Sequence, residues 1–343
     1  MSISDARGAR LALSYNGHMD LSELGEFALI ERLTGIVGTE APDLVIGPGD
    51  DAAVWRTGDR YLIATTDTMI EGVHFNREYT PWPDIGWKAL AANVSDIAAM
   101  GGTPTFALVT LALPPDIPAD DVELIYIGLS ECARNYGVTV AGGDVVRAPQ
   151  IGVTVALLGE PQLRGGRPLL LRRDAARPGD LIAVTGTLGD SAAGLRRLAE
   201  GARSSETIAR RHLRPHPPLA AGRLAAQMGL ECAIDVSDGL LQDIGHICER
   251  SALGAAVRSA DIPLSDEIHV AYPDDALQLA CTGGEDYELV LVGDRDLLNA
   301  LDPMLVERLT LIGEIVPNSG VRLLGEDGDE ITFDRRGWDA FRS

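Results

Sequence analysis

Apolar and polar positions along this chain follow two periods, one near 3.6 and one near 2, and the switches between them mark out its elements. Leu24, Phe27, Ile30, Leu33 and Ile36 recur at helical spacing and predict a helix over Glu23–Ile36 with one buried face. Asp43–Gly47 predicts a short strand. Ala52–Trp55 and Tyr61–Thr65 predict a hairpin around Thr57-Gly58-Asp59. Over Ile85–Met100 the residues Lys88, Ala89, Ala92, Asn93 and Asp96 step along a helix, so Asn93 and Asp96 share a face. Thr105–Leu113 reads as a buried strand ended by Pro114-Pro115, and Asp120–Tyr136 as a helix stopped by Gly137. The strand Val138–Ala141 then leads into a turn at Gly142-Gly143-Asp144, and Ile151–Gly159 is another strand.

Glu160–Pro178 is rich in Gly, Pro and Arg, and the domain boundary is placed there. This gives a flexible extension at 1–20, an N-terminal domain at 21–160 and a C-terminal domain at 161–343. The second half opens with a strand from Gly179, a glycine turn and a helix over Ser191–Glu200; that turn is suited to an anion, or simply to joining strand and helix. Helices are predicted at Leu219–Met228 and Leu240–Ser251. Strands are predicted at Ala255–Arg258, Tyr287–Val292, Leu309–Ile315 and Val321–Leu324. Strands alternating with helices make this an α/β (α+β) chain of two domains. Asn93-Val-Ser-Asp96 and Asp235-Val-Ser-Asp238 echo each other and hint at two related halves.

Charge narrows the function. A net charge of −22 argues against nucleic acid, which needs a basic surface. No apolar run is long enough for a membrane span. Cys132, Cys232, Cys248 and Cys281 have no metal-ligand spacing and read as reduced thiols of a cytoplasmic protein. Lys88 is the only lysine, so a P-loop is excluded.

The acids themselves are patterned. Six short segments set a carboxylate beside Gly, Ser or Thr: Gly49–Asp51, Thr65–Thr68, Val94–Asp96, Gly142–Asp144, Asp235–Gly239 and Gly283–Asp286. They read as acidic turns. Any one of them is explained by a carboxylate capping backbone N–H groups. Together they suggest hard-cation ligands at a phosphate site, because Mg²⁺ takes carboxylate oxygens and sits against nucleotide phosphates. Thr65, Thr66 and Thr68 supply neutral oxygens around Asp67, and His74 is either a structural histidine or a phosphate or substrate contact.

These motifs carry a resemblance. Gly-Asp-Asp, Thr-Asp-Thr followed by Gly-Val-His-Phe, Asn-Val-Ser-Asp-Ile-Ala-Ala-Met-Gly, Gly-Gly-Asp, Val-Thr-Gly-Thr-Leu-Gly-Asp-Ser, Arg-His-Leu-Arg-Pro, Ile-Asp-Val-Ser-Asp-Gly-Leu and Gly-Gly-Glu-Asp-Tyr-Glu-Leu resemble, in order, the thiamine-monophosphate kinases. The match runs from about Gly25 to Trp338. The resemblance implies the two-domain fold of aminoimidazole-ribonucleotide-synthetase-like ATP enzymes. Their N-terminal mixed sheet pairs in a homodimer, and ATP lies with several Mg²⁺ ions between the domains. It also implies direct, in-line transfer of the ATP γ-phosphate onto thiamine monophosphate.

Carried over by position, Asp51, Thr65, Thr66, Asp67, Asp96, Asp144, Asp235 and Asp238 match metal ligands. Of these, Asp51, Asp67, Asp144 and Asp238 are the expected catalytic set. Gly143, Asp144, Arg173 and Ser237 match nucleotide contacts, with Arg172 the alternative register for Arg173. His74, Glu285 and Trp338 match the thiamine-phosphate side. A selenophosphate synthetase on this fold would carry a reactive Cys near its start, but the first cysteine is Cys132. A hydrogenase-maturation relative would end in a modified Cys, and this chain ends Phe341-Arg342-Ser343. A non-catalytic divalent-cation protein of the EF-hand kind lacks its loop signature here.

Overall fold

The computed structural model describes residues 20–306 and 308–341. Of the expected N-terminal extension, residues 1–19 lie outside the described residues. The chain divides into a small unit, reaching Gly38 and joined by the C-terminal segment from Asp339, and a main unit, Thr39–Trp338. The small unit holds α1 (Leu21–Leu24) and α2 (Glu26–Val37), so the helix expected over Glu23–Ile36 is interrupted at Gly25, and the face expected to be buried is not: Phe27, Ile30, Leu33 and Ile36 are all exposed. Ala340 N–H donates to the Glu26 carboxylate at 3.2 Å and ties the C-terminal segment to it.

In the main unit a first mixed sheet contains β1 (Leu44–Ile46), β2 (Ala53–Thr57), β3 (Arg60–Ile70), β4 (Gly102–Leu113), β5 (Thr139–Arg147), β6 (Gly152–Arg164) and β7 (Arg167–Leu169). Its order is β1-β2-β3-β6-β4-β5, with β7 on β6. All its pairs are antiparallel except β4 with β5, which are joined by the crossover helix α4 (Ala119–Tyr136), as a parallel pair requires. The core of this half packs α3 (Trp82–Ala99) and α4 against one face of the sheet. The two helices approach so closely that a Cβ on Gly86 would lie 1.8 Å from the Ile125 carbonyl, and one on Gly128 would lie 1.6 Å from that of Pro83. The opposite face is open: Phe106 and Leu108 on β4 are each 52% exposed.

The second half contains β8 (Leu181–Thr185), α5 (Asp190–Ala199), α6 (Thr207–Leu213), α7 (Leu219–Met228), β9 (Cys232–Asp235), α8 (Leu240–Ser251) and β10 (Gly254–Arg258). It continues with α9 (Asp266–Ala271), α10 (Ala276–Thr282), β11 (Leu289–Gly293), α11 (Arg295–Leu301), β12 (Leu309–Val316), β13 (Gly320–Leu324) and β14 (Glu330–Ile331). The second sheet runs β14-β13-β10-β12-β8-β11-β9. A further core forms where Ala98, Ala99 and Leu171 meet Ala221, Ala225 and Leu289, so the C-terminal end of α3 is buried in both halves.

Three expectations need correction. Gly142–Asp144 is not a turn; β5 runs through it, with a register shift opposite Ala107/Leu108. Thr65–Thr68 lies inside β3, so Asp67 is not on a turn either, while Val94–Asp96 lies inside α3, in keeping with the helix expected over Ile85–Met100. The segment expected as linker begins inside β6, which pairs with β7 as a hairpin through Gly165-Gly166.

Candidate active site

Four elements converge on one acidic cluster. Strand β3 sends alternate residues to the helix-covered face, and there Thr65 and Asp67 meet α3. Asn93 on α3 accepts the Asp67 backbone N–H at 3.2 Å, and one turn on, Asp96 accepts the Thr65 hydroxyl. Between them Ser95 donates to Asp235, the last residue of β9, at 2.6 Å. The echoed motifs Asn93–Asp96 and Asp235–Asp238 therefore touch, although one is helical and the other leaves a strand. The loop after β1 brings Asp51, whose carboxylate accepts from the Arg173 guanidinium at 2.5 Å.

Carboxylate oxygens of Asp51, Asp96 and Asp235 all lie within 4.8 Å of one another. The electrostatics of the cluster are correspondingly unfavourable. Burial, then Asp51, pushes Asp235 up to about 8 against the Ser95 hydrogen bond. Burial raises Asp67 to about 6, helped by Asp51 and opposed by its hydrogen bond with Asp96. Asp96 is held well above the usual carboxylate range by burial and by Asp67, Asp235 and Asp51. Burial disfavours the charge of Arg173, yet Asp51 and its acidic neighbours more than restore it. Asp51 Oδ2 and Arg173 Nε are both buried without a hydrogen-bond partner. A buried, unpaired carboxylate oxygen among raised carboxyls, in an all-oxygen donor set, fits a hard divalent cation.

A second grouping lies at the start of α8, where Asp238, Asp243 and His246 bring ligand atoms within 4.8 Å. Asp243 already accepts the backbone N–H groups of Asp238 and Gly239, so it caps the helix. Ser237 is half-buried in the turn before it.

The residues expected on the thiamine side also come together. The rings of His74 and Trp338 stand edge to face at 5.8 Å, and against burial the Glu285 carboxyl is held below its usual range by Lys88 and His212, with His74 a lesser influence. Backbone bonds pin the far ends: Trp338 N–H donates to the Asp238 carbonyl at 3.0 Å, and Glu285 N–H to that of Ser237 at 2.8 Å.

Two expected groups stay apart from the cluster within one chain. The Thr66 hydroxyl points to the other face of β3 and donates to the Val155 carbonyl at 3.1 Å. Gly143 and Asp144 sit on the edge strand β5, exposed, three strands from β3. At the usual strand spacing that is about 14 Å from Asp67. The sequence reading missed Lys88, buried between His212 and Glu285; its being the chain's only lysine was the available signal.

Similarity to known proteins covers most of the chain. Residues 49–160 match the N-terminal domain of AIR synthase related proteins, and residues 177–325 their C-terminal domain. The chain is 36% identical to a thiamine-monophosphate kinase of Aquifex aeolicus over 94% of its own length and all of the relative's. It is 37% identical to that of Escherichia coli K12, covering 92% and 98% of the two chains. A solved structure of AaThiL complexed with AMPPCP and TMP superposes with a TM-score of 0.83 at 36% identity, covering 95% of this chain and 100% of that one.

Proposed function

Because the chain belongs to the thiamine-monophosphate kinase family, we propose that it transfers the γ-phosphate of ATP directly onto the phosphate of thiamine monophosphate, giving thiamine diphosphate and ADP. The observation that carries this reading is the cluster of Asp51, Asp96 and Asp235 with the unpartnered Asp51 Oδ2 beside Arg173. On this reading Asp51, Asp67, Asp96, Asp235 and Asp238 hold Mg²⁺, with Thr65 and the main chain at Thr66 as neutral oxygens. When bound, Mg²⁺ offsets the charge of both phosphates so that two anions can approach.

The chain's own part is alignment. Arg173 and Ser237 steady the nucleotide phosphates from one side, and His74, Glu285 and Trp338 hold the thiamine end from the other. An oxygen of the acceptor phosphate attacks the γ-phosphorus in line, the bond to the β-phosphate oxygen breaks, and ADP leaves. The acceptor oxygen is already ionised at neutral pH, so no strong general base is required.

The reading extends to a homodimer through the first sheet. Support comes from its open face, where Phe106 and Leu108 are half exposed, and from the unpaired edge strand β5. A partner seated there brings Gly143 and Asp144 to a neighbouring cluster, which accounts for their distance from it within one chain. Sedimentation of Leu108→Glu at micromolar concentration checks this: native dimer and variant monomer are expected, and a native monomer contradicts it. Four buried, unpaired thiols suit the cytoplasm. They also weigh against the cysteine chemistry of the sister enzymes.

The test of the activity is Mg²⁺-dependent ADP release on adding thiamine monophosphate to the chain and ATP. Release no faster than with ATP alone overturns it.

A further inference from the structure

The chain spends 28 of its 29 basic side chains as arginine and keeps a single lysine. That lysine is 2% exposed, on α3. Lys88 Nζ donates to Glu285 Oε2 at 2.8 Å and lies 3.2 Å from His212 Nε2. His212 Nδ1 lies in turn 3.0 Å from the Ser191 hydroxyl at the start of α5. Burial, and then Lys88, depress His212 to about 3, so the imidazole is neutral. With Lys88 donating to Nε2, Nδ1 carries the proton and donates to Ser191. Lys88 Nζ, both ring nitrogens of His212 and the Ser191 hydroxyl are thereby partnered, from α5 through α6 and α3 to the Glu285 loop.

The loop needs such a hold. Glu285 has φ +66° and Tyr287 φ +53°, left-handed conformations that side chains other than glycine adopt at a cost. The Glu285 side chain is 24% exposed, so Lys88 holds one carboxylate oxygen without closing the group off, and His74 is near enough to act on its charge. Lys88 also sits two turns before Asp96 on the same helix, about 12 Å away along its axis. One rigid helix thus carries both a phosphate-end ligand and the anchor of the heterocycle-end carboxylate.

We propose that Lys88, braced by His212 and Ser191, is a positioning residue that fixes the orientation of the Glu285 carboxylate and supplies its counter-charge, so that Glu285 can recognise the cationic heterocyclic end of the acceptor. This rests on the reading of Glu285 as facing thiamine. The charged and titratable groups around Glu285 are Lys88, His212, His74, Tyr79, Asp286 and Tyr287. Removing Lys88 removes the strongest of the influences that oppose burial, and the carboxyl then titrates higher.

The experiment uses the full chain and its Lys88→Met, Glu285→Gln and double variants, with KM for thiamine monophosphate and for ATP measured from pH 6 to 9. Losing a charge-assisted hydrogen bond at a binding group should raise KM for thiamine monophosphate about tenfold, with KM for ATP and kcat within about twofold. In Lys88→Met that KM should climb more steeply than in the native chain as pH falls. In the Glu285→Gln background Lys88→Met should add nothing, because Lys88 acts only through Glu285. Additive effects, an equal rise in both KM values, or a pH profile parallel to the native one overturns the proposal. If Lys88→Met does not fold, Ser191→Ala carries the same test, with a smaller rise confined to KM for thiamine monophosphate; no rise, or an equal rise for ATP, overturns it. Native chain that releases no ADP with thiamine monophosphate sinks the functional reading and this inference together, whereas native turnover with unselective variants sinks this inference alone.

Discussion

Replacing Asp235 by Asn separates stability from function with opposite signs. One carboxylate oxygen each of Asp51, Asp96 and Asp235 lies within 4.8 Å of the others, and at that distance each ionised pair, with no cation between, costs about 3 kcal/mol at an effective dielectric of about 20. Asp235 belongs to two of those three pairs. It avoids part of the repulsion by keeping a proton, since its carboxyl is pushed up to about 8. Holding that proton at pH 7, where the unfolded chain has released it, costs about 4 kcal/mol. Asn keeps an oxygen to accept from Ser95 Oγ, so the hydrogen bond survives and the charge is removed.

With EDTA at pH 7, Asp235→Asn should therefore be more stable than the native chain by about 4 kcal/mol, read from urea unfolding. The sign follows from a raised folded-state value. Below pH 4 both states hold the proton and the difference vanishes; it grows as pH rises to about 8 and is constant above. Adding Mg²⁺ should reverse the order, because only the native site gains the full binding energy, and turnover of the variant should fall at least about a hundredfold. A metal-free variant less stable than native at pH 7, or a gap independent of pH, would refute the account of the cluster.

Asp67→Asn, at the centre of the strand-borne ligands, should cut kcat by at least about a hundredfold with little change in fold by circular dichroism; a near-normal rate removes it from the metal site. Trp338→Ala should raise KM for thiamine monophosphate about tenfold, the worth of one stacked cation–aromatic contact, and leave KM for ATP unchanged. Equal changes would place the ring elsewhere. His212 is kept neutral by burial, with its folded value depressed to about 3. Its contribution is therefore whole above about pH 6.5 and is lost as pH falls. Between pH 7 and pH 5 it should cost the native chain about 2 kcal/mol in urea unfolding, and His212→Gln should flatten that loss. Parallel native and variant profiles would exclude it.

The sequence disclosed the ligands better than their conformations. Asp51, Asp67, Asp96 and Asp235 stood out by residue type and glycine or hydroxyl neighbours, and they converge. Asp51 does lie in a loop and Asp96 on the helix expected over Ile85–Met100, but small residues favour turns locally, which predicts a turn at Asp67 as well. Tertiary pairing won instead: β3 is held by both β2 and β6, and Thr65–Thr68 has β-branched stiffness. Gly142–Asp144 was misread for the same reason, since a register shift in β5 uses glycine without ending the strand. Helices α6, α9, α10 and α11 are each seven residues or fewer, too short for a period to show, and β9 hides in four apolar and polar letters, Cys232–Asp235. Lys88 was visible as a solitary lysine. Its partners, His212 and Glu285, lie 124 and 197 residues away, and only the fold brings them together.

The most direct measurement follows label from [γ-³²P]ATP through the chain with Mg²⁺ and thiamine monophosphate. Direct transfer predicts all transferred label in the terminal phosphate of thiamine diphosphate, none on the protein at any time after quenching, and none transferred with EDTA. Label recovered as inorganic phosphate alone, or as a phosphoprotein that forms before product, would contradict it.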